Sequence, residues 1–171
     1  MGDFKFDRHV AFPYKGKNPK IKDRVVVIPE GIPALVQQAF QYNCYVEEVY
    51  LPDSVKKIHF QAFEHCKSLR VLSFSHNMDE FGCNAINGCD ALKTIIYRGT
   101  IFEFTFLETP GQTPDLEVVY CTDGEIRFGK DCEYYIETLY YPGTRAEWDV
   151  LHGPDDWRSK RSKKIICADE L

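Results

Sequence analysis

Apolar and polar positions follow a frame that returns every 23 residues between Val26 and Thr105. The frame reads Leu-x-x-Leu-x-Leu. It appears as Val46-x-x-Val49-x-Leu51, Leu69-x-x-Leu72-x-Phe74 and Leu92-x-x-Ile95-x-Tyr97. Its last half places apolar residues at every second position, the period of a strand with one buried face. Pro52-Asp53-Ser54 then turns the chain, and a second apolar pair, Val55 and Ile58, follows. Ala39-Phe40, Ala62-Phe63 and Ala85-Ile86 end each unit with a small residue and a large one. A fixed period of this length predicts a β-rich repeat solenoid. Each repeat buries its apolar edge against its neighbours, and the recurring strands stack in parallel.

Past Ile95 the frame loosens but persists as Leu116-x-x-Val119-x-Cys121, Ile136-x-x-Leu139-x-Tyr141 and Ile165-x-Cys167. About seven stacked parallel strands are therefore predicted, centred on Val26, Val49, Leu72, Ile95, Val119, Leu139 and Ile165, in a single repeat domain over 25–171. A longer repeat overlays this one: Thr94 to Phe104 matches Thr138 to Trp148 at an offset of 44. Both copies carry Gly-Thr-x-x-Glu, a capping-box signal, at Thr100 with Glu103 and at Thr144 with Glu147. Short helices are expected near 101–107 and 145–151, anchored by Phe104 and Trp148. Residues 1–24 fall outside the frame. There Phe4, Phe6, Phe12 and Tyr14 stand among charged residues, and an N-terminal cap over the open edge of the first repeat is expected.

The run from Val49-Tyr50-Leu51-Pro52-Asp53-Ser54-Val55 through Ile58, Ala62-Phe63 and Cys66 to Leu69 resembles the BspA type of leucine-rich repeat. That family's pattern is close to Ile-x-Leu-Pro-x-Ser-Val-x-x-Ile-Gly-x-x-Ala-Phe-x-x-Cys-x-x-Leu, and His59 stands where it has glycine. The Gly-Thr-x-x-Glu segments and the Cys121-Thr122-Asp123-Gly124 strand are similar to late repeats of the same family. The resemblance covers about residues 25–171 and implies a leucine-rich-repeat fold. It also implies protein binding, because many members are bacterial or protozoan surface proteins that bind other proteins.

Charge changes the picture in one respect. The net charge of −5 divides into about +4 over residues 1–24, −12 over 25–157 and +3 over 158–171. An acidic body argues against direct nucleic-acid binding; it fits either a solvated surface or a basic protein partner. The first residues lack an apolar signal region and no run reaches membrane-spanning length, so a cytoplasmic location is expected. Cys66 and Cys89 share one frame position, which reads as reduced core fillers rather than a disulfide framework. Zinc sites favour closely spaced Cys pairs, and His65, Cys66, His76, Cys83 and Cys89 do not offer them. With no phosphate loop or nucleophile elbow either, no catalytic residue, metal, cofactor or small-molecule substrate is expected. The final Ala168-Asp169-Glu170-Leu171 resembles an ER-retention tail. It also aligns with the repeat at Thr122-Asp123 and is read as part of it.

Candidate chemistry thus reduces to a surface. The frame directs Val27, Tyr50, Ser73, Ile96, Tyr120, Tyr140 and Ile166 outward in one row. Glu48, Val71, Thr94, Val118 and Thr138 flank it on one side, with Ser75 and Arg98 on the other. Aromatic residues and arginine are the usual anchors of protein interfaces. The expected partner-binding set is Glu48, Tyr50, Ser73, Ser75, Ile96, Arg98, Tyr120 and Tyr140. The expected function is a non-enzymatic module that engages a protein partner through its outward strand face. Two alternatives are carried: a small acidic inhibitor, of phage or mobile-element type, of a basic nucleic-acid-binding enzyme, and a surface adhesin whose export signal has been removed.

Overall fold

The computed structural model describes residues 23–105, 107, 116–128 and 134–171, so the expected cap over 1–24 lies outside the described residues apart from Asp23 and Arg24. The repeat frame forms the strands it predicts. β1 (Val25–Val27), β3 (Glu48–Tyr50), β5 (Val71–Ser75) and β7 (Thr94–Arg98) pair in parallel, with Val26, Val49, Leu72 and Ile95 opposite one another. β8 (Val118–Cys121) continues the ladder with Val119 opposite Ile95. Val49, Leu72, Ile95 and Val119 are completely buried, as period-2 burial requires. The second apolar pair of each repeat builds the facing wall: β2 (Ala34–Leu35), β4 (Lys57–Ile58) and β6 (Glu80–Phe81) form a three-stranded parallel sheet. Between the walls the Phe40 and Phe63 rings stack 5.1 Å apart.

A third line of hydrogen bonds closes each turn. Gln38, Phe40 and Tyr42 donate their N–H groups to the carbonyls of Phe60, Ala62 and Glu64, and Gln61, Phe63 and His65 donate to Cys83, Ala85 and Asn87. The chain takes positive φ at four of these donors, Gln38 (61°), Gln61 (57°), Tyr42 (60°) and His65 (56°), and at the equivalent Asn84 (58°) and Gly88 (67°) of the third turn. A left-handed residue with a side chain costs roughly 1 kcal/mol; the cross-turn bonds offset that cost. Gly82, one period after His59, is held by space instead. A Cβ there would lie 2.5 Å from the His59 carbonyl carbon. The family's glycine is therefore kept in the third turn, where the backbones approach, although the second turn replaces it.

The C-terminal half departs from the expected stack. After β8 the chain makes a two-residue turn at Thr122–Asp123 and returns as β9 (Gly124–Phe128), antiparallel to β8 and to β10 (Tyr134–Tyr141). β11 (Ser162–Cys167) then pairs in parallel with β10. The seven predicted strands are all present, but the sheet has eight, in the order β1-β3-β5-β7-β8-β9-β10-β11, and is mostly rather than wholly parallel. Where a fourth short strand would follow β6, the chain instead forms α1 (Ile101–Phe104), shorter than the predicted 101–107. α2 (Arg145–Leu151) matches its predicted span, and α3 (Trp157–Arg161) was not anticipated.

Both helices start on the capping box read from the sequence, Thr100 with Glu103 and Thr144 with Glu147. In each duplicate an aspartate from the next strand's end caps the first helical N–H. Asp123 accepts from Ile101 at 2.8 Å and Asp169 from Arg145 at 2.9 Å. The Asp169-Glu170 tail is thus built into the fold, since Glu170 also pairs with the Arg145 guanidinium at 2.8 Å. Phe104 and Trp148 are buried, as expected of anchors.

The central column sets the first stability prediction. Phe63 is completely buried against Phe40, so Phe63→Ala should cost about 3–5 kcal/mol, read as a lowered urea midpoint with an unchanged slope. The second concerns acid. The Arg145 guanidinium holds the Glu170 carboxyl down at about 2, below its ordinary 4.5. Its contribution is complete above the unfolded value and is lost as pH falls from about 4.5 toward 2, because the unfolded chain takes up the proton first. Asp123 runs the other way, its carboxyl pushed up by burial. Urea midpoints at pH 6 and pH 3 should therefore differ less for Glu170→Gln than for the unsubstituted chain.

Candidate protein-binding face

The outward side chains of the eight-stranded sheet arise from simple alternation, so the ladder register decides which of them meet. Val27, Tyr50, Ser73, Ile96 and Tyr120 lie opposite one another across β1, β3, β5, β7 and β8, as the frame predicts. The row then breaks. Ile126 of β9 faces both Val119 and Ile136, so β10 enters the sheet three residues out of step with β8. Tyr140 consequently belongs to a second, shorter row, opposite Ile166 of β11. The single continuous row expected from the sequence is two rows separated by the β8–β9 hairpin.

Exposure divides the predicted residues further. Tyr120 is 46% and Tyr140 37% exposed, and at the edge Val25 and Val27 reach 51% and 68%. Glu48, Tyr50 and Ile96 are half-buried. Ser73 and Ser75, expected on the accessible surface, are buried at 3% and 0%. The reason is size: a short side chain on a strand is roofed by longer neighbours. The Arg98 guanidinium extends back over two turns. It donates to Ser73 Oγ at 3.1 Å, to the Leu51 carbonyl at 2.8 Å and to the Asp53 carboxylate at 2.7 Å. Arg98 is therefore a strap across β5 toward the end of β3, with three of its donors engaged. The Ser75 hydroxyl accepts from the Asn77 N–H in the following turn.

Tyr50 donates its hydroxyl to Glu48 at 2.9 Å; this bond, and then burial, holds its phenol above the ordinary range. β9 adds Glu125 and Arg127 to the outer surface, and they pair with each other at 2.6 Å. These two were missed from the sequence, although Asp123-Gly124 followed by Glu125-Ile126-Arg127-Phe128 is a hairpin signal. The face thus combines apolar and aromatic side chains with charges of which Glu48, Arg98, Glu125 and Arg127 are paired within the molecule.

Beside it runs a column of charge, one residue per turn: Arg24, Glu47, Arg70, Lys93, Glu117, Glu137 and Lys163. Glu47 pairs with both Arg24 and Arg70, Lys93 pairs with Glu117, and Lys163 with Glu137. The two arginines hold the Glu47 carboxyl below its usual range, the Arg24 hydrogen bond contributing most. Elsewhere Asp53, Glu80 and Asp90 also pair with bases from other turns.

The cysteines that share a frame position pack inside. Cys66 and Cys89 are buried and donate their thiols to the Phe40 and Phe63 carbonyls, both at 2.9 Å. The neighbouring Cys89 thiol, together with burial, pushes the Cys66 thiol far above its ordinary value. Among the described residues no three His, Cys, Asp or Glu side chains are grouped to hold a metal ion, and no helix is long and apolar enough to cross a membrane.

Comparison with known proteins agrees with the repeat frame. The model of the BspA-type leucine-rich repeat region matches residues 22–107, half of the chain, with six copies. No curated protein matches the sequence. Among solved structures, a leucine-rich cell surface protein from Faecalibacterium prausnitzii A2-165 is 20% identical, with a TM-score of 0.42 over 86% of this chain and 32% of its own. The pneumococcal vaccine antigen PcpA is 19% identical, with a TM-score of 0.40 over 85% of this chain and 42% of its own. This chain therefore spans less than half the length of either protein. The 23-residue frame, the strands it forms and the matched span lead to one conclusion: the chain belongs to the BspA-type leucine-rich-repeat family.

Proposed function

We propose that the chain is a protein-binding module: its repeats stack as a short solenoid whose outer strand face is the contact surface. The observation that carries this reading is a sheet face on which, among the described residues, large apolar side chains stay exposed. Tyr120, Tyr140, Val25 and Val27 are each more than a third exposed. Parallel sheets usually have both faces covered, so a bare apolar face on a mostly parallel sheet is suited to a partner. Family membership supports the same reading, since repeats of this kind serve as interaction modules. Tyr50, Ile96 and Tyr120 form the main contact row, Tyr140 with Ile166 a second one, and Glu48 a polar rim.

The inhibitor alternative finds no support. Its premise was a surplus of acidic charge open to a basic enzyme. Much of that charge is committed, in cross-turn pairs such as Glu47 with Arg24 and Arg70, and in helix caps at Glu103, Asp123, Glu147 and Asp169. The expected cytoplasmic location has no support from the comparisons either. One of the similar structures is described as a cell surface protein, and the strand-face reading applies equally there.

An interface anchor of this type is worth about 2 kcal/mol or more. The Tyr50→Ala, Tyr120→Ala, Tyr140→Ala triple variant, used as bait beside the unsubstituted chain, should lose the captured partner while its far-UV spectrum and urea midpoint change little. Capture undiminished by the three substitutions overturns the strand-face reading.

A further inference from the structure

The eight-stranded sheet ends at β11, which among the described residues pairs only with β10. Successive residues of a strand point their backbone N–H and C=O groups to opposite sides, so one set of an edge strand faces outward. Ala168, just past β11, donates back to the Gly143 carbonyl at 2.9 Å. By alternation Ile165 and Cys167 turn theirs to the open side, as the frame-equivalent Leu51 does in β3, donating to Ser73 of the next strand at 2.8 Å. On that side two side chains stand where a ninth strand would pair. The Arg145 guanidinium donates to the Ile165 carbonyl at 2.7 Å, and the Cys167 N–H donates to the Glu170 carboxylate at 2.8 Å. The two are also joined to each other, Nε to Oε1 at 2.9 Å and Nη2 to Oε2 at 2.8 Å. Together they offer the edge one donor and one acceptor, as the backbone of a following strand would.

The internal duplication provides a comparison within one molecule. In the first copy the places of Arg145 and Glu170 are taken by Ile101 and Gly124. There the sheet continues: Val119 and Cys121, the equivalents of Ile165 and Cys167, pair with Ile126 and Gly124 of β9. The helix-capping aspartates, Asp123 and Asp169, are the same in both copies. The guanidinium and carboxylate are thus found in the copy whose last strand has no successor, and are missing from the copy whose strand has one. We infer that the Arg145–Glu170 pair is an edge guard, which occupies the outward hydrogen-bonding groups of β11 and closes the sheet to the addition of a further strand. An open edge is the surface on which extended segments of other chains pair. The guard does not depend on the strand-face reading, since it lies at the end of the sheet and not on its face.

Sedimentation velocity over a concentration series, on the full chain and its variants, tests this. The Arg145→Ala, Glu170→Ala variant should self-associate at a roughly ten-fold lower concentration than the unsubstituted chain, as the release of two backbone groups to a partner strand implies. Exchanging the charges, Arg145→Glu with Glu170→Arg, keeps an ion pair but sets an acceptor against the Ile165 carbonyl and a donor against the Cys167 N–H. The exchanged chain should therefore associate like the double-alanine variant. Phe63→Ala, which weakens the second turn and leaves the edge intact, should associate no more than the unsubstituted chain. Hydrogen exchange at the Cys167 amide should speed up in the dilute double-alanine variant and slow again as it associates. Variants that associate no more than the unsubstituted chain overturn the inference. So does an exchanged pair that behaves like the original one, equal association of Phe63→Ala, or association that leaves the Cys167 amide exchanging fast.

Discussion

The structure depends on one constraint: each side chain of the N-terminal turns must fit its own equivalent 23 residues away. Parallel strand pairing imposes it, because a register of Val26 on Val49 on Leu72 on Ile95 leaves no other neighbours to choose. Each column then finds its own chemistry. Phenyl rings stack at Phe40 and Phe63, and the Gln38 amide donates to Gln61 at 3.2 Å. The Gln41 amide donates to the Glu64 carboxylate. Cys66 and Cys89 each satisfy a buried carbonyl one turn back, so a polar backbone atom is paired without a bulky donor. Left-handed residues recur at fixed places, and in the first two turns their amides, at Gln38, Tyr42, Gln61 and His65, make the cross-turn bonds.

This constraint explains what could be read from the amino acids and what could not. Strand centres were legible because burial of one residue in each pair leaves an apolar mark at every period. The capping boxes were legible because Thr and Glu at that spacing satisfy two amides by local geometry alone. Side-chain accessibility was less so. Ser73 and Ser75 lie at outward positions of the frame, and only the reach of Arg98 and neighbouring chains determines that they are covered. The displaced Tyr140 row is a non-local effect as well. It follows from the register at which β9 joins β8 to β10, a three-residue offset that leaves Ile136 and Leu139 both buried and the frame apparently intact. α3 has only five residues and carries four polar or charged ones, so no apolar periodicity announced it. Its stability rests on Asp156, which accepts from the Arg158 N–H at 2.7 Å and contacts His152 at 3.2 Å. Burial alone would raise the Asp156 carboxyl, yet these partners and the Arg158 charge hold it below its usual range.

Composition was a poorer guide than position. A body of −12 suggests a field directed at a basic partner, yet several of the carboxylates that create it, Glu47, Asp90 and Glu117 among them, face a base one turn away. Each such exposed pair contributes little to stability. Their collective effect is on surface character: acids and bases are interspersed along the stack, so that neither sign forms a continuous stripe.

The cross-turn fit has a final consequence, for how such a molecule can change length. A residue gained or lost between two columns of one turn would put that turn out of step with its neighbours, setting Phe against Gln and Cys against Gly; a loop outside the columns absorbs one, as the 24-residue step from Ile95 to Val119 does. Within the columns only whole turns can be added or removed without that penalty. Length is therefore quantised: each step widens or narrows the sheet by one strand spacing, about 4.8 Å. Each step also adds or deletes one side chain in every outward row. A binding face built this way can be resized by duplication before a single contact residue is altered.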